Sequence, residues 1–472
     1  MNALRTFLRP NILTDAFIAT VVVWWTWFVT HLPWLGISEQ VSVPAILAAW
    51  LLALIVCARV FGREGRTLGE AIAASAGAGF LSALLGLFIL GSKLVEQPVA
   101  GAMEQASLKP GALLMAAGFL VLGATLGLVG GAIGKLLSRP RHRAIDSEAI
   151  RRRWLGRFGL VAAIAVVPLL IVGGLVTSSN SGMAVPDWPN TYGSNMFLYP
   201  IGPRAAPSVY LEHSHRLFGA LIGLTAIALC ALVFLHEKRP FVKVLSLVLL
   251  ALVISQGILG GIRVLQGSVE ASQDAKWSRV FHGILAQVVF CLFVAMAVFL
   301  SPLYQRAKSA VSAGTLRLGH TGVKPRTFRI FSAAAMHSTI LQLVFGAIYR
   351  HTRSAHALWT HMGFSVLVVI FVLLAAFAAG GMRTSDAPVQ KFVRRIGLLA
   401  AACVGLQFLL GWLTFYLGGA GLRPESIPEV LLRTSHQANG ALLLAITTIM
   451  MLSGRALSPK AGRAPVGSVV AA

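Results

Sequence analysis

Acidic residues are scarce in this chain, with 16 Asp and Glu against 40 Lys and Arg in 472 residues and a formal net charge of +24. Charged residues of both signs reach only 12%, where an ordinary soluble domain carries about 25%. So little polar surface cannot cover a core of this size in water, which excludes a soluble enzyme. The 56% hydrophobic content excludes a disordered tail protein. Cysteine is scarce too: Cys57, Cys230, Cys291 and Cys403 stand singly in apolar segments without disulfide or metal-ligand spacing, which excludes a secreted disulfide scaffold. What remains is apolar sequence in long runs, with Gly 47, Phe 25 and a mean hydropathy of +0.77. The fold class is an all-α polytopic membrane protein.

Twelve runs of about 20 apolar residues, each long enough to cross a bilayer, lie near 14–33, 43–61, 70–92, 111–135, 157–178, 213–235, 244–265, 280–301, 329–349, 357–380, 396–417 and 434–453. The first begins late and lacks a cleavage-site pattern, so it reads as retained rather than as a signal peptide. Basic residues gather in alternate loops: Arg5 and Arg9 before span one, Arg59, Arg63 and Arg66 after span two, and Lys135, Arg139, Arg141, Arg143 and Arg151–Arg153 after span four. Lys238, Arg239 and Lys243, then Arg306, Lys308, Arg317, Lys324 and Arg326, then Arg383, Lys391, Arg394 and Arg395 follow spans six, eight and ten. By the positive-inside bias both termini are cytoplasmic and every even span runs inward. Basic loops facing anionic lipid account for the charge better than nucleic acid does, so no nucleic-acid partner is expected.

The basic stretch 135–156 reads as a cytoplasmic linker. Ahead of it, residues 1–134 form a four-span membrane extension, rich in Ala, Gly and Leu, that reads as a packing or assembly module. Behind it, two four-helix bundles are expected at 157–302 and 329–455, joined by a linker at 303–328 and followed by a tail at 456–472. The two bundles align as a repeat. Span six opens Glu212-His213-Ser214-His215-Arg216, and span ten opens Trp359-Thr360-His361. Spans seven and eleven hold Gln256-Gly257-Ile258-Leu259-Gly260 and Gln407-Phe408-Leu409-Leu410-Gly411; spans eight and twelve start Arg279-Val280-Phe281-His282 and Arg433-Thr434-Ser435-His436. Four spans per half leave the repeats in one orientation, related by an axis along the membrane normal.

His215, His282, His361 and His436 therefore share one depth, in the first turn or so of the even spans, near the outer face. A lone histidine there usually only snorkels, but four at equivalent repeat positions point to function. Two imidazoles facing one another in a helical bundle make a bis-histidine haem site; zinc wants three or four close ligands and fits two separate pairs poorly. His213, His337, His351 and His356 lack repeat partners and read as interfacial or core residues. Arg216, Arg279 and Arg433 neighbour the proposed ligands and suit haem propionates, or simply reach water from a helix end. Glu212, three residues before His215, has no counterpart in the second half. It can move a proton beside the first site only, or serve as a charge at a helix start. The outer loop 174–209 is long and turn-rich where its counterpart is short, and Asp187 and Trp188 in it read as a lid or an interfacial anchor.

The run GGLVTSSNSGMAVPDWPNTYG, followed by EHSHRLFG, SQGILGG and RVFHGILAQ, with LWTHMG, LQFLLGW and RTSHQANGA in the second half, resembles the heme A synthase family over about residues 157–455. The first four spans fall outside the resemblance. It implies two four-helix bundles and oxidation of the C8 methyl of heme O to the formyl of heme A, by successive hydroxylations and loss of water, for terminal oxidases. Carried over by position, His215 and His282 would flank the substrate heme O with Glu212 as the catalytic acid, and His361 and His436 would hold the iron of a heme b cofactor. Partners in this reading are heme O, an electron donor or acceptor that the sequence does not name, heme O synthase or oxidase assembly factors, the lipid bilayer and a second copy of the chain. The setting implied is a bacterial inner membrane, with the haem sites toward the outer face. Two features depart from the family: no cysteine pair stands in the outer loops, and Ser178 rather than arginine follows Thr177.

Other functions are weighed on the same residues. A di-haem electron carrier would need neither Glu212 nor a long loop on one side only, and a haem chaperone or transporter would hold haem exchangeably in both bundles. A prenyltransferase needs acidic magnesium-binding clusters, and none occurs among the 16 acids.

Overall fold

The computed structural model describes residues 10–62, 64, 67–96, 107–139, 147–199, 201, 206–266, 273–316, 322–418 and 426–458. The basic-loop residues Arg5, Arg9, Arg63, Arg66, Arg141, Arg143 and Arg317, and the tail beyond 458, lie outside them.

Each apolar run becomes one helix. These are α1 (Pro10–Thr30), α2 (Glu39–Gly62), α3 (Leu68–Leu94), α4 (Ala112–Leu136), α5 (Ser147–Ser178), α6 (Pro207–His236) and α7 (Pro240–Leu265), then α8 (Gln273–Leu300), α9 (Pro302–Ser312), α10 (Pro325–Thr352), α11 (Ala355–Gly381), α12 (Ala387–Gly418) and α13 (Ile427–Leu457). All but α9 are long and apolar enough to cross a membrane, giving twelve candidate spans among the described residues. The protein is an all-α polytopic membrane protein.

The starts of the helices explain why they outrun the apolar runs. Proline occupies the first turn of α6, α7, α9, α10 and α13, where its missing N–H costs nothing and its fixed φ suits a helix. At α3, Thr67 and Glu70 form a capping box, Glu70 N–H donating to Thr67 Oγ1 at 3.2 Å and Thr67 N–H to Glu70 Oε2 at 2.9 Å. Polar or proline-bearing first turns thus precede the hydrophobic stretches of the histidine helices α6 and α13. In consequence His215, His282 and His436 stand in the third turn of their helices and His361 in the second, deeper than the apolar runs alone place them.

Helix α9 lies within the segment read from sequence as a linker. Leu303, Ala307, Ala310 and Val311 recur at helical spacing and pack on the apolar core around Phe328, Val372 and Met450; that burial, not membrane-crossing length, makes the segment helical.

The described chain divides into two compact units, residues 1–269 and 270–472. In the first, α3 and α4 approach through glycines: a Cβ on Gly79 would strike the backbone of Gly123 and Gly127, and one on Gly127 would strike Ser75 and Ala76. Small residues at such crossings let dispersion act backbone to backbone, which is what holds helices together in lipid. Helix α1 packs on α2, α3, α5 and α6. Its Phe17 meets Phe158 of α5 edge-on at 5.3 Å, and its Trp24 and Phe28 meet Phe218 of α6 at 5.7 and 5.9 Å. In the second unit, α10–α13 pack in sequence, with α13 returning to α10 and α8 lying against α10 and α13.

Candidate functional site

In the first unit the outer loop between α5 and α6 is a built structure. Tyr192 and Gly193 both take positive φ, 48° and 78°, a conformation that costs a tyrosine energy unless local bonds hold it. Asp187 provides them: its two carboxylate oxygens accept the N–H groups of Tyr192 and Gly193, each at 2.8 Å. The Tyr192 hydroxyl donates to the Ala184 carbonyl. Burial, and behind it the carboxylates of Glu212 and Asp187, raises the Tyr192 phenol above the usual tyrosine range. Trp188 sits face to face with α7, where a Cβ on Gly261 would overlap the indole. Asp187 is thus the loop's internal brace, and Trp188 its contact with α7.

The loop is bolted to α6 by two side chains one turn apart. Arg216 Nη1 donates to the carbonyls of Asp187 (2.7 Å) and Asn190 (2.9 Å), and Nη2 to that of Val185 (3.0 Å). Nη2 also pairs with Glu212 Oε1 at 3.1 Å, while Glu212 Oε2 accepts the Val185 N–H at 2.9 Å. Both side chains are more than nine-tenths buried. The structure therefore gathers Glu212, Arg216 and Asp187 into one network, with both terminal nitrogens of Arg216 committed to the loop. Removing either partner of a buried pair of this kind costs about 3–5 kcal/mol, because the other charge is left without compensation. His213 belongs to the same assembly, its Nδ1 lying 3.2 Å from Thr191 Oγ1 and its ring 5.3 Å from that of Tyr199.

His215, on the next face of α6, lies against α5: a Cβ on Gly173 would come within 3.0 Å of its ring. Arg263 of α7 acts electrostatically on His215 and donates to the Gly182 carbonyl at 2.7 Å, tying loop, α7 and histidine together. His282 and Arg279 stand on α8, in the second unit.

The second unit brings His361 of α11 and His436 of α13 together. Their ring centroids are 6.4 Å apart at an interplanar angle of 80°. Two metal–imidazole bonds of about 2 Å in line, with a nitrogen-to-centroid leg at each end, put centroids roughly 6 Å apart, so the pair fits a single iron between them. On the His361 side the donor chemistry fits as well. His361 Nδ1 lies 3.1 Å from the Gln342 carbonyl, whose own side chain donates back to the His361 carbonyl at 2.8 Å. A carbonyl on Nδ1 fixes the tautomer that leaves Nε2 for a metal. The Gln407 amide lies 3.2 Å from His436 Nδ1 and is held by Asn439 at 2.8 Å. Glycines again seat the rings: a Cβ on Gly346 would come within 2.8 Å of His361, and one on Gly411 within 3.2 Å of His436. Among the described residues no three His, Cys, Asp or Glu side chains gather as a metal-ion ligand set.

Near this pair Arg433 lies within electrostatic reach of Arg350 and Arg353. Sequence reasoning singled out Arg433 and passed over the other two, although Arg350 lies one turn beyond Gly346 on α10. Gly173, Gly346, Gln342 and Arg263 were given no role there, and Gly411 stood only as the end of the Gln407–Gly411 motif; the glycines lie on α5, α10 and α12, each against a histidine ring of a neighbouring helix.

Fold and site together define a polytopic helical membrane protein with one facing histidine pair among the described residues of its second unit. Comparison with known families narrows this class. Residues 156–448 match the COX15-CtaA family, described as cytochrome oxidase assembly protein, and the chain belongs to this family. The preceding four helices lie outside the match. Similar proteins include the heme A synthase of Shouchella clausii, 30% identical over 24% of this chain and 36% of that protein. That of Alkalihalophilus pseudofirmus is 31% identical over 24% and 37%, and that of Bacillus licheniformis 27% identical over 42% and 59%. The chain thus spans about a third of the length of the first of these relatives. No solved structure matches.

Proposed function

We propose that this chain is a heme A synthase, an oxidoreductase that converts the C8 methyl of heme O to a formyl group by successive hydroxylations. The observation that carries the reading is the opposed His361–His436 pair in a chain of the COX15-CtaA family. In this reading the two helical bundles share the work. His361 and His436 hold heme b, with Arg433, Arg350 and Arg353 facing its propionates. When bound, heme b supplies an iron that carries one electron at a time.

His215, on α6 of the first unit, flanks heme O. Arg216 acts through the loop: it holds Val185, Asp187 and Asn190 down on α6, and so keeps water from the substrate side of the helix. Glu212 keeps a carboxylate buried at the root of the loop. A proton accepted at Oε1 weakens the pair with Arg216, which couples protonation of the acid to the hold on the loop. Asp187 and Trp188 serve as the loop's brace and its contact with α7. Both termini lie on the cytoplasmic side of a bacterial inner membrane, and the haem sites toward the outer face. A di-haem electron carrier has no use for a loop clamped by a buried acid on one side only.

Purification from a host that makes heme O tests the reading. The chain is expected to carry heme b together with heme O or its oxidised products; heme b alone, in every preparation, would leave an electron carrier.

A further inference from the structure

The four helices ahead of the family match meet the site assembly at two places, both within the first unit. Near the C-terminal end of α3, Gly91 lies so close to the loop that a Cβ would overlap the Phe197 carbonyl oxygen, and the Leu198 side chain lies 3.6 Å from the same position. One turn earlier the Phe88 ring packs on the Phe197 ring, centroids 4.6 Å apart. Two residues along the chain from Phe197, Tyr199 stacks on Tyr192 at 5.6 Å and lies tilted against His213 at 5.3 Å; Tyr192 is braced by Asp187, and Asp187's carbonyl is held by Arg216 beside Glu212.

The second place is on α6 itself. Tyr210, two residues before Glu212 and wholly buried, donates its hydroxyl to the Phe28 carbonyl of α1 at 2.8 Å. The Phe28 ring stacks on Tyr210 at 5.7 Å, and Trp27 lies at 5.9 Å. Two turns on, Phe218 receives Trp24 and Phe28. The aromatic side chains of α1 thus cover the first three turns of this face of α6, from Tyr210 to Phe218.

We propose that the N-terminal extension is the seat of the outer loop: α1 fixes α6, α3 fixes the loop's second limb, and together they hold the loop closed over Glu212 and so set access of the substrate haem to that side of α6. The inference rests on the heme O reading only for the identity of the substrate; the seat itself is a matter of packing. Phe88 and Gly91 are positioning residues in it, acting on Glu212 through the loop. Backbone contact explains why glycine stands at 91. Any side chain there must lift the loop, since the atom it meets is a carbonyl oxygen that no rotamer change can move.

The test uses the full-length chain with a reporter, Ser194→Cys, at a loop position only 1% exposed, labelled in detergent with a hydrophilic maleimide. Gly91→Val in this background is expected to speed labelling about tenfold or more, in proportion to the population with the loop lifted. It is expected to raise the KM for heme O about fivefold, with kcat within about twofold and heme b content unchanged. Gly118→Val on α4, where a Cβ meets nothing within 4 Å, is expected to change neither. Equal labelling rates in the two valine variants would overturn the seat. Faster labelling with unaltered heme O kinetics would overturn its service to the substrate site. If the wild-type chain converts no heme O, the functional reading fails while labelling still judges the seat. Should Gly91→Val fail to fold, Phe88→Ala and Phe197→Ala decide. Their effects on labelling are expected to fall short of the product of the single effects in the double variant, and full multiplicativity would overturn the contact.

Discussion

The Glu212 carboxylate has a backbone N–H on one oxygen and a guanidinium on the other, so its charge and its shape do separate things. Glu212→Gln keeps an acceptor for Val185 but removes the charge opposite Arg216. The expected result is a loss of heme O oxidation of about 10²-fold or more, the size of a missing acid–base group, with the heme b spectrum of the second unit unchanged. Loss of heme b as well would mark Glu212 as a purely structural residue. Tyr192 gives a second, pH-dependent handle. Its phenol is raised by burial, with Glu212 and Asp187 adding to the effect, so the folded loop favours the neutral form. The loop's hold is therefore intact below the ordinary tyrosine value near 10 and weakens as pH rises through the higher folded value. Labelling of Ser194→Cys is expected to accelerate above about pH 10, and Tyr192→Phe to abolish that limb; a flat profile in both chains would contradict it. Of these residues the sequence exposed Glu212 by its asymmetry between the halves. It did not expose the partners of Asp187, because a carboxylate bracing two positive-φ residues and one forming a lid look alike until the loop is folded.

At the scale of the helix, the rings of His215, His361 and His436 each meet a glycine on a neighbouring helix. Gly346→Val would drive a side chain into His361 and is expected to cut heme b content at least about tenfold, the scale of lost ligand support. Gly363→Val, on the same helix as His361 but with nothing within 4 Å of its Cβ, is expected to leave it intact. Pyridine haemochrome assay of the two purified chains decides, and equal heme content would contradict the glycine seat. Much of this level was readable in advance. Twelve spans follow from apolar length, and the pairing of His361 with His436 was marked by repeat position alone. What was not readable has physical causes. Helix starts are set by proline and polar caps that hydropathy ignores, so the histidines lie deeper in their helices than the apolar runs suggest. Helix α9 is too short to register as a span, though the spacing of Leu303, Ala307 and Val311 carried its signal. Arg350 resembles any arginine at a helix end until folding sets it beside Arg433.

For the molecule as a whole, the two compact units are built differently. The second unit's histidine pair is lined by amides and glycines, and the connection between α10 and α11 is short, residues 353–354. The first unit carries the long loop, the buried acid–guanidinium clamp, and four further helices, of which α1 packs against α6 and α3 against the loop. Apolar composition reads those four helices as a packing or assembly module; which surface they pack against depends on contacts between residues more than a hundred positions apart, such as Phe88 with Phe197, that no local pattern announces.

The direct measurement is chromatography of haems extracted from the membranes of a host that makes heme O and no heme A, with and without this chain. A new peak of heme A or hydroxylated heme O, present with the wild-type chain and missing with Glu212→Gln, is the predicted result. Well-folded chain carrying heme b, with redox partners supplied and heme O left unchanged, would contradict the assignment.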